Sequence, residues 1–207
     1  HAQNFMYNRQ QQVANLAGVM KRPPLVVSPY DAELFGHWWY EGPWFIDFFF
    51  RKSWHDQHTY QMTHLADYLR AEPTQQVCRP SQSSWGYKGF HEYWLNETNA
   101  WVYPHLHKGA ERMIDLARME PADELQWRAL NQAARELLLA QSSDWAFIMR
   151  TGTMVPYAIR RTRSHLVRFH KLYEELKEGK VDSGWLEKIE SMDNIFPSIN
   201  YRTYRPL

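Results

Sequence analysis

The chain has 207 residues, with 24 lysines and arginines against 23 aspartates and glutamates. That length holds one large domain or two small ones, and so even a charge balance argues against a partner gripped mainly through its phosphates, such as nucleic acid. One cysteine, Cys78, rules out an internal disulfide framework and fits a reducing, cytoplasmic compartment, while no apolar run approaches the roughly 18 residues of a membrane span.

Residues 2–19 carry Phe5, Val13, Leu16 and Met20 near helical spacing, which predicts a helix that Arg22-Pro23-Pro24 then breaks. PLVVSP (24–29) is short and apolar on both faces, the pattern of a buried parallel strand. The loop YDAELFGHWWYEG follows. A helix is predicted from Pro43 to about Trp54, with proline in the first turn, and a short one begins at 63–67 and stops before Pro73. Residues 78–99, CRPSQSSWGYKGFHEYWLNETN, read as a long irregular stretch. Loops of that length are usually functional or disordered, and Trp85, Tyr87, Tyr93 and Trp94 argue against disorder. Four helical segments come next, 99–119, 121–141, 153–178 and 182–192, the third stopped by Gly179. The tail NIFPSINYRTYRPL has no period. The fold class is therefore mainly α with a short α/β piece. A lone parallel-type strand cannot stand without neighbours, and residue 1 is not methionine. Both lead to the expectation that these residues are the C-terminal part of a larger protein.

Aromatic residues make up 15% of the chain although its mean hydropathy, −0.65, is polar. Flat rings among Gly, Ser, Asn, His and acids suit an amphipathic ligand such as a sugar, whose C–H face stacks while its hydroxyls need polar partners. Asp31 follows the predicted strand, and in barrels of parallel strands catalytic residues sit at strand C-terminal ends. Beside Trp38 and Trp39 its carboxyl would be partly desolvated and suited to general-acid work. Equally, Asp31 and Glu33 could simply cap the turn, and Asp144 in SSDW could be a helix N-cap.

The stretch YDAELFGHWWYEGP resembles a signature of the family 57 glycoside hydrolases, specifically their 1,4-α-glucan branching enzymes. PSQSSWGYKGFHEYWLN, NAWVYPHLHKGAERM, QSSDWAFIMRTGTMVPYAIRRTRSHLVRF and DNIFPSINYR resemble further blocks of that family, in its order and over nearly the whole chain. The resemblance implies that Asp31 is the general acid/base and that Trp85 and Trp94 line the acceptor and donor sugar sites. Asp144 and Trp145 would be active-site residues, and His37, Trp38 and Trp39 would lie in or under the cleft. Residues 1–58 would be the C-terminal fragment of a catalytic (β/α)7 barrel, including its last strand region, and 59–207 an α-helical C-terminal domain. The family's nucleophilic glutamate has no counterpart in these residues.

The expected substrate is an α-glucan, amylose or glycogen, and the expected partner is the remaining N-terminal catalytic part of the enzyme. No metal or organic cofactor is needed. The same resemblance leaves open a family 57 α-amylase or 4-α-glucanotransferase, and the missing nucleophile leaves open a non-catalytic glucan-binding module. The 207 residues alone are expected to be inactive and poorly stable.

His55, His58 and His64 are too loosely spaced for tetrahedral ligation. His105 and His107, two apart on a helix, do not share a face. Arg160, Arg163 and Lys171 are predicted to form a solvated helix face with Leu166, Val167 and Phe169 pointing elsewhere. Trp101, Trp127 and Trp185 fall in helical patterns and are predicted core residues.

Overall fold

The periodic segments form helices; the apolar run 24–29 does not form a strand. The computed structural model describes residues 1–206, which carry eight α-helices and no strand, only an isolated bridge between Phe35 and Trp39. Two compact units divide between Arg79 and Pro80. None of the described helices is long and apolar enough to cross a membrane.

The first unit holds α1 (Ala2–Ala17), α2 (Gly42–His55) and α3 (Leu65–Ala71). Phe5 joins α1 to α2, with its ring centroid 5.7 Å from Phe45 and 5.1 Å from Phe49, both edge-on. Such contacts add about 0.5–1.5 kcal/mol each beyond area burial. Gly42 opens α2 where a Cβ would come within 2.8 Å of the Phe35 Cα, so the turn can fold back only on a glycine. Gln57 closes the far end of α2: its Oε1 accepts from the Thr59 and Tyr60 amides at 2.8 and 3.0 Å.

The expected strand at 24–29 is corrected here. The segment has no ladder partner, and Val27, Ser28 and Pro29 are exposed. Its β-branched residues favour extension, but backbone amides and carbonyls become a strand only when a neighbouring strand accepts them. None exists among the described residues.

The second unit is built on α4 (Val102–Leu116), α5 (Glu124–Ala140), α6 (Ser143–Thr151), α7 (Val155–Glu178) and α8 (Ser183–Met192). Helix α6 was not predicted. Its nine residues lie between the ends of two longer periodic segments, and Gly152, at φ +81°, ends it in the left-handed conformation. Gly179 (φ +69°) ends α7 as predicted. Asp123 caps α5, accepting the Gln126 amide at 2.8 Å, a contact worth about 1 kcal/mol. Met113 and Leu116 from α4, Leu130 and Leu137 from α5, and Phe169 and Leu172 from α7 form the centre of the core. Gly109 lets α4 approach α5: an added Cβ would stand 2.9 Å from Leu137 Cδ1.

Helix α5 is buried at every position from Ala129 to Leu137, including Asn131, Gln132, Arg135 and Glu136. These four polar residues lie on one helix face by their spacing, and the aperiodic tail covers it. Asn131 Oδ1 accepts the Tyr201 amide at 2.9 Å, Gln132 Nε2 donates to the Asp193 carbonyl at 3.2 Å, and Arg135 donates to the carbonyls of Ile195 and Phe196. A segment without hydrophobic period is thus held by side chains that satisfy its backbone.

Of the surface expectations on α7, Arg160 and Arg163 are exposed, and Leu166 and Phe169 are buried. Val167 is the correction: it is 66% exposed, one position and about 100° round from Leu166. Trp127 and Trp185 are half-buried against the main core, and Trp101 against a smaller cluster around Val102, Met149 and Ala158.

His170, also on α7, carries a pH dependence. Arg112 Nη1 lies 3.1 Å from its Nδ1; a guanidinium only donates, so Nδ1 is the acceptor and the ring proton sits on Nε2. Burial first, then the Arg112 and His105 charges, hold the imidazole below its ordinary value of 6.5, against an opposing Glu174. A depressed folded-state value means that the neutral form stabilises the fold above the unfolded value and that this stability is lost as pH falls through the folded one. The melting temperature is therefore expected to fall as the pH drops from about 7 to about 5. His170→Asn, which keeps an acceptor but cannot charge, should flatten that slope in calorimetric scans; an unchanged slope would assign it to other groups.

Candidate functional site

The predicted site residues fall in both units. In the first, Asp31 stands in extended conformation (φ −63°, ψ 134°) before a short 3₁₀ turn, Ala32–Leu34, and its side chain makes no capping bond. The loop then closes on itself: the Trp38 and Trp39 amides donate to the carbonyls of Glu33 and Leu34 at 3.1 and 2.9 Å. Gly36, at φ +96°, makes that reversal possible. Trp39 turns inward, 5.1 Å from Phe45 and 6.3 Å from Phe35. His37 and Trp38 turn outward and are exposed, Trp38 by 66%. Phe5, Tyr30, Leu34, Phe35, Trp39 and Phe45 line most of an apolar cleft of about 470 Å³ beside this loop.

Asp31 itself is exposed. The expectation that Trp38 and Trp39 would partly desolvate it is not met within these residues, because one indole points into solvent and the other into the aromatic cluster. Neither Asp31 nor Glu33 acts as a cap through its side chain.

In the second unit the irregular stretch is an ordered loop. The Ser84 amide donates to the Gly89 carbonyl at 2.7 Å, and Ser84 Oγ accepts the His91 amide at 2.6 Å. Gly86 (φ +101°) has no room for a side chain: a Cβ would lie 2.3 Å from the Tyr93 ring. Lys88 and His91 also take positive φ, at 56° and 67°. Non-glycine residues adopt this conformation only when their surroundings impose it. The loop brings Trp85 and Trp94 together, with centroids 6.0 Å apart and Trp94 Nε1 donating to the Trp85 carbonyl at 3.2 Å. Trp85 remains 63% exposed and Trp94 is half-buried.

Asp144 and Trp145 open α6. Asp144 is exposed, sits within the first turn rather than at the N-cap, and accepts from Ser142 Oγ at 2.7 Å. Trp145 packs inward: its Nε1 donates to the Leu139 carbonyl at 2.7 Å, and its ring meets Tyr157 edge-on at 5.9 Å. Phe147, on the same helix, was not singled out from sequence, yet it packs at 5.9, 5.6 and 6.3 Å from Trp85, Tyr93 and Trp94. Its signal was the spacing from Asp144, three positions and so nearly one helical turn.

One further cluster was not legible in sequence. Glu136, His165 and Asp193 are buried, with ligand-type atoms all within 4.8 Å of one another. His165 Nδ1 lies 2.7 Å from Glu136 Oε2, Gln132 Nε2 donates to Glu136 Oε1 at 2.9 Å, and Arg168 pairs with Asp193. Both carboxylates are thus already engaged by protein donors, one a guanidinium that would repel a cation. The residues fit an internal charge network better than a metal centre.

Residues 105–204 match the family model "1,4-alpha-glucan branching enzyme, C-terminal". A 1,4-alpha-glucan branching enzyme of Thermococcus kodakarensis is 36% identical over 181 residues, an overlap of 83% of this chain but 26% of that protein. Among solved structures, a family 57 (GH57) branching enzyme from Thermococcus kodakaraensis, in complex with glucose and additives, superposes with a TM-score of 0.83 at 32% identity. The α-amylase AmyC of Thermotoga maritima does so at 0.78 and 41%. Both cover all of this chain and 38% of theirs. The second unit thus contains a helical C-terminal domain of the kind found in α-glucan-processing enzymes. The homologues of this chain include glycoside hydrolase family 57 branching enzymes, matched over a C-terminal part, and the chain spans about a quarter to two fifths of the relatives' length.

Proposed function

We propose that the chain supplies the acid/base and the sugar-holding aromatics of a retaining 1,4-α-glucan branching enzyme. The observation that carries the reading is the ordered loop at 80–99, which holds an exposed indole, Trp85, beside Trp94 where a sugar face can stack. On this reading residues 1–58 complete the last strand region of a (β/α)7 barrel, and 59–207 form the helical domain. The run 24–29 gains its ladder, and Asp31 its desolvation, from the remaining N-terminal part of the same cytoplasmic enzyme.

The chemistry needs two carboxyl groups about 5–5.5 Å apart. The nucleophile, contributed by that remaining part, bonds to the anomeric carbon as the α-1,4 C1–O4 bond breaks and Asp31 gives its proton to O4. Asp31, now a carboxylate, takes the proton of an acceptor 6-hydroxyl whose oxygen attacks C1, forming the α-1,6 branch and releasing the nucleophile. Water in place of the acceptor gives hydrolysis. Trp85 and Trp94 favour transfer by holding the acceptor and excluding water. The same reading assigns His37, Trp38, Asp144 and Trp145 to the active site of the full-length enzyme.

A second reading, α-amylase, is favoured by the description of one relative at 41% identity. The two differ in product. Amylose incubated with the full-length enzyme is expected to lose its blue iodine colour while yielding short chains after debranching. Shortened linear chains with no α-1,6 links would establish the amylase reading instead.

A further inference from the structure

We infer that Asn99 and Phe147 are positioning residues that set the Trp85–Trp94 loop in its sugar-holding shape; this rests on the function proposed above. The loop has little regular structure of its own, so its geometry must come from contacts outside it. Asn99 is fully buried and uses its whole amide. Its Nδ2 donates to the Tyr93 carbonyl at 2.9 Å and, across to α6, to the Ala146 carbonyl at 3.1 Å, while its Oδ1 accepts the Asn96 amide at 2.9 Å. The side chain therefore ties the loop's end to the residue immediately before Phe147.

Phe147 supplies the apolar half of the same joint. Its ring lies nearly parallel to Tyr93, at 23° and 5.6 Å, and tilted against both indoles. Tyr93 in turn fills the space that a side chain at Gly86 would need, and Tyr103 on α4 donates its hydroxyl to the Trp94 carbonyl. One face of the tryptophan pair is thus backed by helix-borne groups while Trp85 stays open to solvent. A ring presented to a ligand gains from being ordered beforehand, because less freedom is lost on binding. Removing Phe147 should loosen the presentation without touching the reacting carboxyls.

The test uses the full-length enzyme with Phe147→Ala, Phe147→Tyr, Asn99→Asp and, as reference, Trp85→Ala. Amide hydrogen exchange over residues 81–99 is measured alongside the melting temperature and the ratio of branch transfer to hydrolysis on amylose. Phe147→Ala is expected to speed exchange in this segment about tenfold and to lower the transfer ratio about tenfold, with a smaller change in total bond cleavage. Phe147→Tyr, which keeps the ring, should stay within about twofold of the wild type. Asn99→Asp, which loses both donors, should reproduce the loosening. Wild-type exchange in Phe147→Ala would overturn the inference. So would a loosened loop with an unchanged transfer ratio while Trp85→Ala lowers that ratio. If Trp85→Ala leaves the ratio unchanged, it is the proposed sugar-holding role of the indole that fails, and the inference resting on it falls too; the exchange data then report separately whether these residues order the loop.

Discussion

Glu136→Leu is expected to destabilise the second unit by about 1–3 kcal/mol, the cost of leaving buried hydrogen-bonding groups without their partner. Glu136 and His165 are both fully buried, and Glu136 also receives Gln132. Burial pushes the Glu136 carboxyl up from its ordinary range, and the bonds from His165 and Gln132 pull it part of the way back. The carboxyl thus depends on those donors, and they depend on it. Removing it alone strands His165, whose Nε2 already has no partner. The double replacement Glu136→Leu/His165→Leu removes both polar groups of the pair and should recover a large part of the loss, since the penalty lies in the unpaired remainder. Equilibrium unfolding, with hydrogen exchange of α5 amides to identify the transition, checks both. A single-variant loss below about 1 kcal/mol, within the range of an exposed pair, would show that the network carries little of the stability.

On the proposed mechanism, Asp31→Asn in the full-length enzyme should lower branching and hydrolysis of amylose together by about 10²–10⁴-fold, the usual contribution of a positioned acid/base. An amide can neither give the proton to O4 nor take one from the acceptor. A substrate with a leaving group that needs no proton, such as a maltosyl fluoride, should still form the covalent intermediate, which would then accumulate because its breakdown lacks a base. Ordinary turnover by this variant would remove Asp31 from the mechanism.

The longer helices were legible because each buries an apolar stripe at a spacing that only a helix produces; the nine residues of α6 were too few to show one. Gly179 was read correctly as a stop because its left-handed backbone favours glycine. The run 24–29 forms no strand among the described residues for the opposite reason: apolar character is local, but a ladder requires a second strand that composition cannot supply. Val167 was misplaced because adjacent residues on a helix face different directions even when both are apolar. On the site, Asp31 and the tryptophan-bearing loop stood out from the residues themselves, whereas Asp144 was raised above a helix N-cap only by the family resemblance. Phe147 did not stand out, since a phenylalanine in a short helix looks like core when its ring neighbours Trp85, Tyr93 and Trp94 lie far back in the sequence.

What these residues determine locally is therefore their helices, their glycine stops and the crowding of indoles into one irregular loop, all consequences of contacts within a few positions. The long-range polar contacts were decided only by the fold. Asn131, Gln132 and Arg135 are polar, yet they are buried against a tail some 60 to 70 residues further on. A polar side chain gives the same pattern whether water or a distant backbone satisfies it, and only the chain's return decides which.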